Sequence, residues 1–282
     1  MPREAEPSLS EKTFVSKALE QGLRLDNRKF DQFRPLQLSF ADDEYGVADV
    51  RCGKTRVVAK VSAEVTVPFT DRPFDGVFTI TSELGPMVAP SFEVNRGTEP
   101  RGPVTCHGIA TASQRLDRRY LIRGRRDSLF HCTLGAHAAC LAVVAALRHF
   151  RKPETSMQGG TLTVYTPAER EPVPLSWLHS PFCVTFGFFG DEGDVVLLDT
   201  TWLEEQLRRS SCTFSLNRHG EICQVSKLGG SDVDAPIFVQ CAQAALDKSK
   251  EFTDLVDRKL AEDDKRRNKG GLLAELTAEN ER

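Results

Sequence analysis

Six arginines, Arg115, Arg118, Arg119, Arg123, Arg125 and Arg126, fall within twelve residues of this chain. A planar guanidinium grips a phosphate with two parallel N–H bonds, and backbone charge is read without regard to base sequence. The six are therefore candidate RNA-binding residues, and the plainer reading of the same run is a solvated basic loop. A second set is acidic. Asp199 closes the strand-like DVVLLD, and Glu205 follows six residues later. Two carboxylates so spaced could hold a metal or move a proton, whereas Glu204 and Glu205 equally suit the opening of a helix, where negative charge meets the helix dipole. A third set is soft: His131, Cys132, His137 and Cys140, with Cys106 and His107 upstream. Such side chains can bind zinc. Their spacing fits no standard knuckle and Cys140 sits in an apolar helix, so no metal and no cofactor is expected.

The elements that would position these residues can be read from periodicity. GAHAACLAVVAALRHF, residues 135–150, is a buried helix by its small and aliphatic residues, with a firm helix from Ala138 to His149. Arg148 and His149 suit its C-terminus and Pro153 stops it. Its first turn offers free N–H groups to an anion but only Gly135, Ala136, His137, Ala138 and Ala139 as side chains. Residues 11–22 read as a short amphipathic helix capped by Ser8 or Ser10. Alternation then predicts a meander of LQLSF, VADVRC and RVVAKVSAEV, with GVFTITSEL as a fourth strand. A second run of strands follows the helix: TLTVYT, PFCVTFGFF, DVVLLD, CTFSLN and EICQVSK, with NRHG as a hairpin loop. A final helix begins after Ser231 or Asp232. The order sheet, helix, sheet, helix predicts an α+β fold.

Residues 96–137 fit this scheme poorly and read as atypical and disordered, apart from SQRLDRRYLIRGRR, which suggests a basic helix interrupted by Gly124. The expected organisation is an N-terminal helix in 1–22, a first half in 23–153, a second half in 154–262 and a mobile charged tail in 263–282.

Composition excludes several classes. With 282 residues, 40% hydrophobic and 27% charged, the chain has enough apolar content for a sizeable core. A net charge of −3 excludes a generally basic nucleic-acid coat and confines any RNA contact to a local patch. The apolar run from Ala138 to Leu147 is too short for a bilayer, which takes about 20 residues. No membrane partner is expected. Eight cysteines without a C-x-x-C pair read as reduced, buried side chains.

Several motifs together carry a resemblance. RLDNRKFDQFRPL resembles the Arg-x-Asp-Gly-Arg…Arg-Pro entry of the RNase PH fold, with Asn27 where glycine is usual. GVADVRCGKTRVVAKVSAEV resembles its first strands, and RKPETSMQGGTLTVYTPAEREPVPLSWLHSPFCVTFGFF and LLDTTWLEEQL resemble the branch containing the non-catalytic ring subunits of the eukaryotic RNA exosome, in a fungal-like form. The resemblance covers about residues 8–95 and 138–265. It implies the two-half RNase PH-like (ribosomal protein S5 domain 2-like) fold, with ring partners of the same fold, exosome cap proteins and RNA as associates. It implies a structural and channel role in 3′-to-5′ RNA processing and decay, rRNA maturation included, in nucleus, nucleolus and cytoplasm. Active members hold phosphate with Thr-Arg at the start of the apolar helix, where this chain has Ala136, His137 and Ala138. Asp199 and Glu205 fall at the positions of their paired acids. The resemblance therefore implies no catalytic residues, while leaving as alternatives a phosphorolytic exoribonuclease using Asp199 and Glu205, and a zinc-stabilised binding module.

Overall fold

The computed structural model describes residues 7–65, 78–84, 120–128, 134–158, 161–166, 169–177, 179–190, 193–230 and 232–268. Helix α1 spans Leu9–Glu20 and starts from a capping box, in which the Ser8 hydroxyl accepts from the Glu11 amide and the Glu11 carboxylate accepts from that of Ser8. It buries Val15 and Leu19 and nothing else.

Alternation builds the first sheet. In β2 (Val47–Cys52) Ala48, Val50 and Cys52 are buried and the residues between them are not. It pairs antiparallel with β1 (Leu36–Phe40) and with β3 (Thr55–Val65), Val50 opposite Val57 and Ala48 opposite Ala59, so one face is continuously apolar. β4 (Phe78–Leu84) and β5 (Tyr120–Ser128) complete the order β1-β2-β3-β5-β4. The strand expected in GVFTITSEL is β4, which stands outside the meander because β5 inserts beside β3 and β4 pairs with β5 in parallel. One expectation is corrected. Residues 120–128 are a strand and not a basic helix: bonds to strands on both sides override the local sequence.

Helix α2 (Leu134–His149) begins inside the span expected to be disordered. Short ribbons follow: β6 (Arg151–Lys152) pairs with β9 (Val173–Pro174), and β7 (Thr155–Gln158) with β8 (Thr161–Val164). The second sheet has the order β11-β10-β12-β13, from β10 (Phe182–Phe189), β11 (Val195–Leu198), β12 (Ser210–Leu216) and β13 (Ile222–Gly229). The six-residue helix α3 (Trp202–Leu207) follows β11, and α4 (Ala235–Asn268) ends the described chain.

Both long helices touch both sheets: α2 meets β2, β3 and β10, and α4 meets β10, β12 and β1. One core therefore runs from Leu38 and Val57 through α2 to Phe182, Phe214 and Phe252. A smaller cluster of Val15, Leu19, Phe189 and Leu197 seats α1 on the second sheet. Helix α4 continues through residues 263–268, where a mobile tail was expected. Asp263 is buried there, and Arg267 donates to the carbonyls of Ala41 and Asp42. No helix among the described residues is long and apolar enough to cross a membrane.

Candidate functional site

The end of β11 delivers Asp199 to a cluster of arginines. Asp199 takes a positive φ of 50°, which an Asp tolerates better than most side chains. Its carboxylate is buried, and both oxygens accept arginine N–H bonds. Arg34 donates Nε to Oδ2 at 2.8 Å, Nη2 to Oδ1 at 2.8 Å and its own amide to Oδ2 at 2.9 Å. Arg28 adds Nη1 at 3.0 Å to Oδ2 and gives Nη2 to the Asp199 carbonyl. Burial alone would raise the carboxyl pKa, but the Arg34 bonds and charge, with His137 behind them, hold it below the usual range. Next to it, burial and the Asp199 charge push the Cys52 thiol up to about 12, leaving it inert.

Both arginines come from the segment 24–34. Asn27 adopts φ 58° there, a left-handed conformation that glycine would otherwise supply and Asn accommodates. Arg24, on the same segment, is wholly buried. Its guanidinium forks onto Glu204 (Nε to Oε1 3.1 Å, Nη2 to Oε2 2.8 Å) and also donates to the carbonyls of Lys29, Leu198 and Asp199. Glu204 at the same time closes a capping box with Thr201, accepting the Thr201 amide at 2.7 Å. Glu204 is thus structural, and Glu205 lies buried beside Arg208 at 3.3 Å.

His137 enters from the first turn of α2. Its Nε2 accepts the Thr185 amide at 2.7 Å, so the ring carries its proton on Nδ1, which has no hydrogen-bond partner among the described residues. Its ring meets Phe33 edge-on at 5.4 Å. Burial pushes its pKa down to about 4; Asp199 pulls upward and Arg34 pushes further down. His137 is neutral at pH 7 and supplies a hydrogen-bond donor without a charge.

Of the residues singled out by sequence, the structure brings together Asp199 and His137. Arg115, Arg118, Arg119, Cys106, His107, His131 and Cys132 lie outside the described residues. Arg123, Arg125 and Arg126 are on β5, opposite Ser62, Lys60 and Ala59 of β3. Cys140 donates to the Pro181 carbonyl from within the core, and among the described residues no three His, Cys, Asp or Glu side chains are grouped to hold a metal. Sequence reasoning missed the roles of Arg24, Arg28 and Arg34, although their motif had been recognised: an arginine's partner 165–180 positions away leaves no local signal.

Comparison with known proteins settles the lineage. Domain 1 of the 3′ exoribonuclease (RNase PH) family matches residues 32–119 and domain 2 matches residues 179–248. Over 100% of both chains the sequence is 40% identical to the exosome complex component rrp45 of Schizosaccharomyces pombe. The chain belongs to the 3′ exoribonuclease family. Family relatives include the exosome complex component RRP45 of Saccharomyces cerevisiae, 37% identical over 100% of this chain and 99% of that one, and human RRP45, 34% identical over 95% of this chain and 64% of that one. The family fold recurs in the Archaeoglobus fulgidus exosome with RNA bound to the active site, at TM-score 0.71 and 22% identity over 87% of this chain and 97% of that one. It recurs again in rice Rrp46, at TM-score 0.62 and 16% identity over 84% of this chain and 100% of that one.

Proposed function

We propose that this chain is a non-catalytic subunit of an RNA exosome ring, acting as scaffold and RNA guide in 3′-to-5′ processing and decay, rRNA maturation included. One observation carries this reading: both oxygens of Asp199, at the position of a catalytic acid in active relatives, are committed to Arg28 and Arg34. An acid that moves protons or binds a metal must present its oxygens to them, and here Oδ2 takes three N–H groups and Oδ1 takes one. The start of α2 supports the reading, since His137, neutral and bonded to Thr185, stands where active relatives clamp phosphate with Thr-Arg. The names of the fungal and human relatives point to the same assembly. Its neighbours in this reading are other RNase PH-like ring subunits and exosome cap proteins, and its sites of action are nucleus, nucleolus and cytoplasm.

The test is direct. A 3′-tailed RNA incubated with the purified chain and inorganic phosphate yields no nucleoside diphosphates; their release above a no-protein control removes the proposal. RNA contact is assigned to Arg115, Arg118, Arg119, Arg123, Arg125 and Arg126. Replacing Arg119, Arg123 and Arg126 by alanine lowers the salt slope of RNA binding by the assembled ring by about one per lost phosphate contact. An unchanged slope assigns the RNA path elsewhere.

A further inference from the structure

A polar cleft of about 330 Å³ opens where the β12–β13 turn, helix α4, the end of α2 and residues 175, 177, 179 and 180 converge, and among the described residues it shares none with the Asp199 cluster. Trp177, His179, Arg148, Arg218, His219 and Asp257 line it. The indole is half-buried against the core and pinned by its Nε1–H to the Ser180 hydroxyl at 2.8 Å, so its plane is fixed while part of the ring borders the cleft. Asp257 orients the two guanidiniums, Arg148 at 2.6 Å on one oxygen and Arg218 at 3.5 Å on the other, and Arg218 also reaches Asp254 at 3.5 Å. Each guanidinium carries five N–H groups, so these contacts leave donors for a second anion. The Nδ1 of His179 is buried and has no hydrogen-bond partner among the described residues.

A fixed aromatic plane beside oriented guanidiniums is the pairing that binds a nucleotide: the base stacks and the phosphate takes N–H bonds. The volume lies in the range of small-ligand pockets. A protein-docking surface would have an apolar centre, and here, among the described residues, Leu175 and Leu260 are the aliphatic side chains in a mostly polar lining. We infer that this cleft holds one nucleotide of single-stranded RNA, its base against Trp177 and its phosphate on Arg148 and Arg218. The inference rests on the proposed RNA-handling role only in preferring RNA to a free nucleotide.

The full-length chain, isotopically labelled, is titrated with AMP, UMP, a 5′-phosphorylated oligoadenylate, inorganic phosphate and a glutamate-rich peptide, following the Trp177 indole N–H by NMR. AMP and UMP are expected to shift that signal saturably, and the oligoadenylate to bind at least tenfold more tightly. Inorganic phosphate should leave the signal in place. Arg218→Ala changes an exposed side chain and so spares the fold; it should weaken binding at least fivefold and reduce its salt dependence, and Trp177→Leu should abolish it. Failure of AMP and UMP to bind overturns the inference, as does equal binding by phosphate, capture of the acidic peptide instead, or an indifferent Arg218→Ala. An oligoadenylate no tighter than AMP overturns the RNA assignment. Mononucleotide binding by the isolated chain needs neither ring assembly nor absence of catalysis, so its failure leaves the ring proposal standing. Nucleoside diphosphate release, conversely, would sink that proposal and not this one.

Discussion

His137 in the first turn of α2 and His149 in its last residue are both buried, 7% and 2% exposed, and each accepts one backbone amide. They differ in what the other ring nitrogen finds. His149 takes the Gly46 amide on Nδ1 at 3.1 Å and so donates Nε2–H to Asp263 at 3.1 Å, an acid that also receives Arg266 and Arg267. His137 takes Thr185 on Nε2, and its Nδ1–H meets no acceptor among the described residues, while the nearby Asp199 is bonded to arginines. The helix dipole deepens the contrast, since it disfavours a cation at the N-terminal end and favours one at the C-terminal end. One end of α2 is closed by protein groups alone. The other keeps a donor in reserve.

The largest effect expected from breaking this contrast comes at Asp199. Asp199→Ala leaves Arg34, whose side chain is 14% exposed, without its counter-charge, and leaves Arg28 with Asp26 alone at 2.6 Å. Removing one partner of such a pair costs about 3–5 kcal/mol, to be read from urea denaturation. A loss below about 1 kcal/mol would mean that the arginines are held by something else.

Next comes acid. His137 titrates at about 4 when folded and near 6.5 when unfolded. Between those values the unfolded chain binds a proton that the folded chain refuses, so stability falls as pH drops through that window and is fully present above it. The loss from this residue alone is about 3 kcal/mol. Asp199 acts separately: its carboxyl is held below its ordinary 3.8, so its contribution is lost only under more acid conditions. NMR of the imidazole protons checks the assignment. A His137 midpoint near 6.5 would show that the ring is solvated and end the contrast with His149.

The smallest effect sharpens the closed end. His149→Leu strands the Gly46 amide and deprives Asp263 of one donor, at about 2–3 kcal/mol. Hydrogen exchange at Gly46 should accelerate while exchange at Thr185 stays as it was. Equal acceleration at both amides would mean that the two ends of α2 act as one unit.

Much of this was legible in the residues themselves. The alternation of Ala48, Val50 and Cys52 identifies a strand with one buried face, and the unbroken apolar run of α2 identifies a helix covered all round. What stayed hidden depends on distant partners. RGRRDS has no strand character of its own, and β5 forms because β3 and β4 supply both rows of hydrogen bonds. The charged residues after Leu260 look like solvent-facing tail, yet Asp263 and Arg267 fold inward onto His149, Ala41 and Asp42. Asp199, the acid of the candidate site, was visible in sequence, and Glu205, singled out with it, lies beside Arg208. The arginines that hold Asp199 were not visible, because nothing near Arg34 in sequence announces a carboxylate 165 positions away.

The bond from Arg267 to the backbone at Ala41, 226 residues apart, has a consequence for synthesis. A ribosome must release the chain as far as Arg267 before the loop after β1 can be fastened, and until then the opening hairpin waits with its fastening groups bare. Truncation within the last turns of α4 would therefore show its damage at the amino-terminal end, as a nascent chain that chaperones keep recapturing.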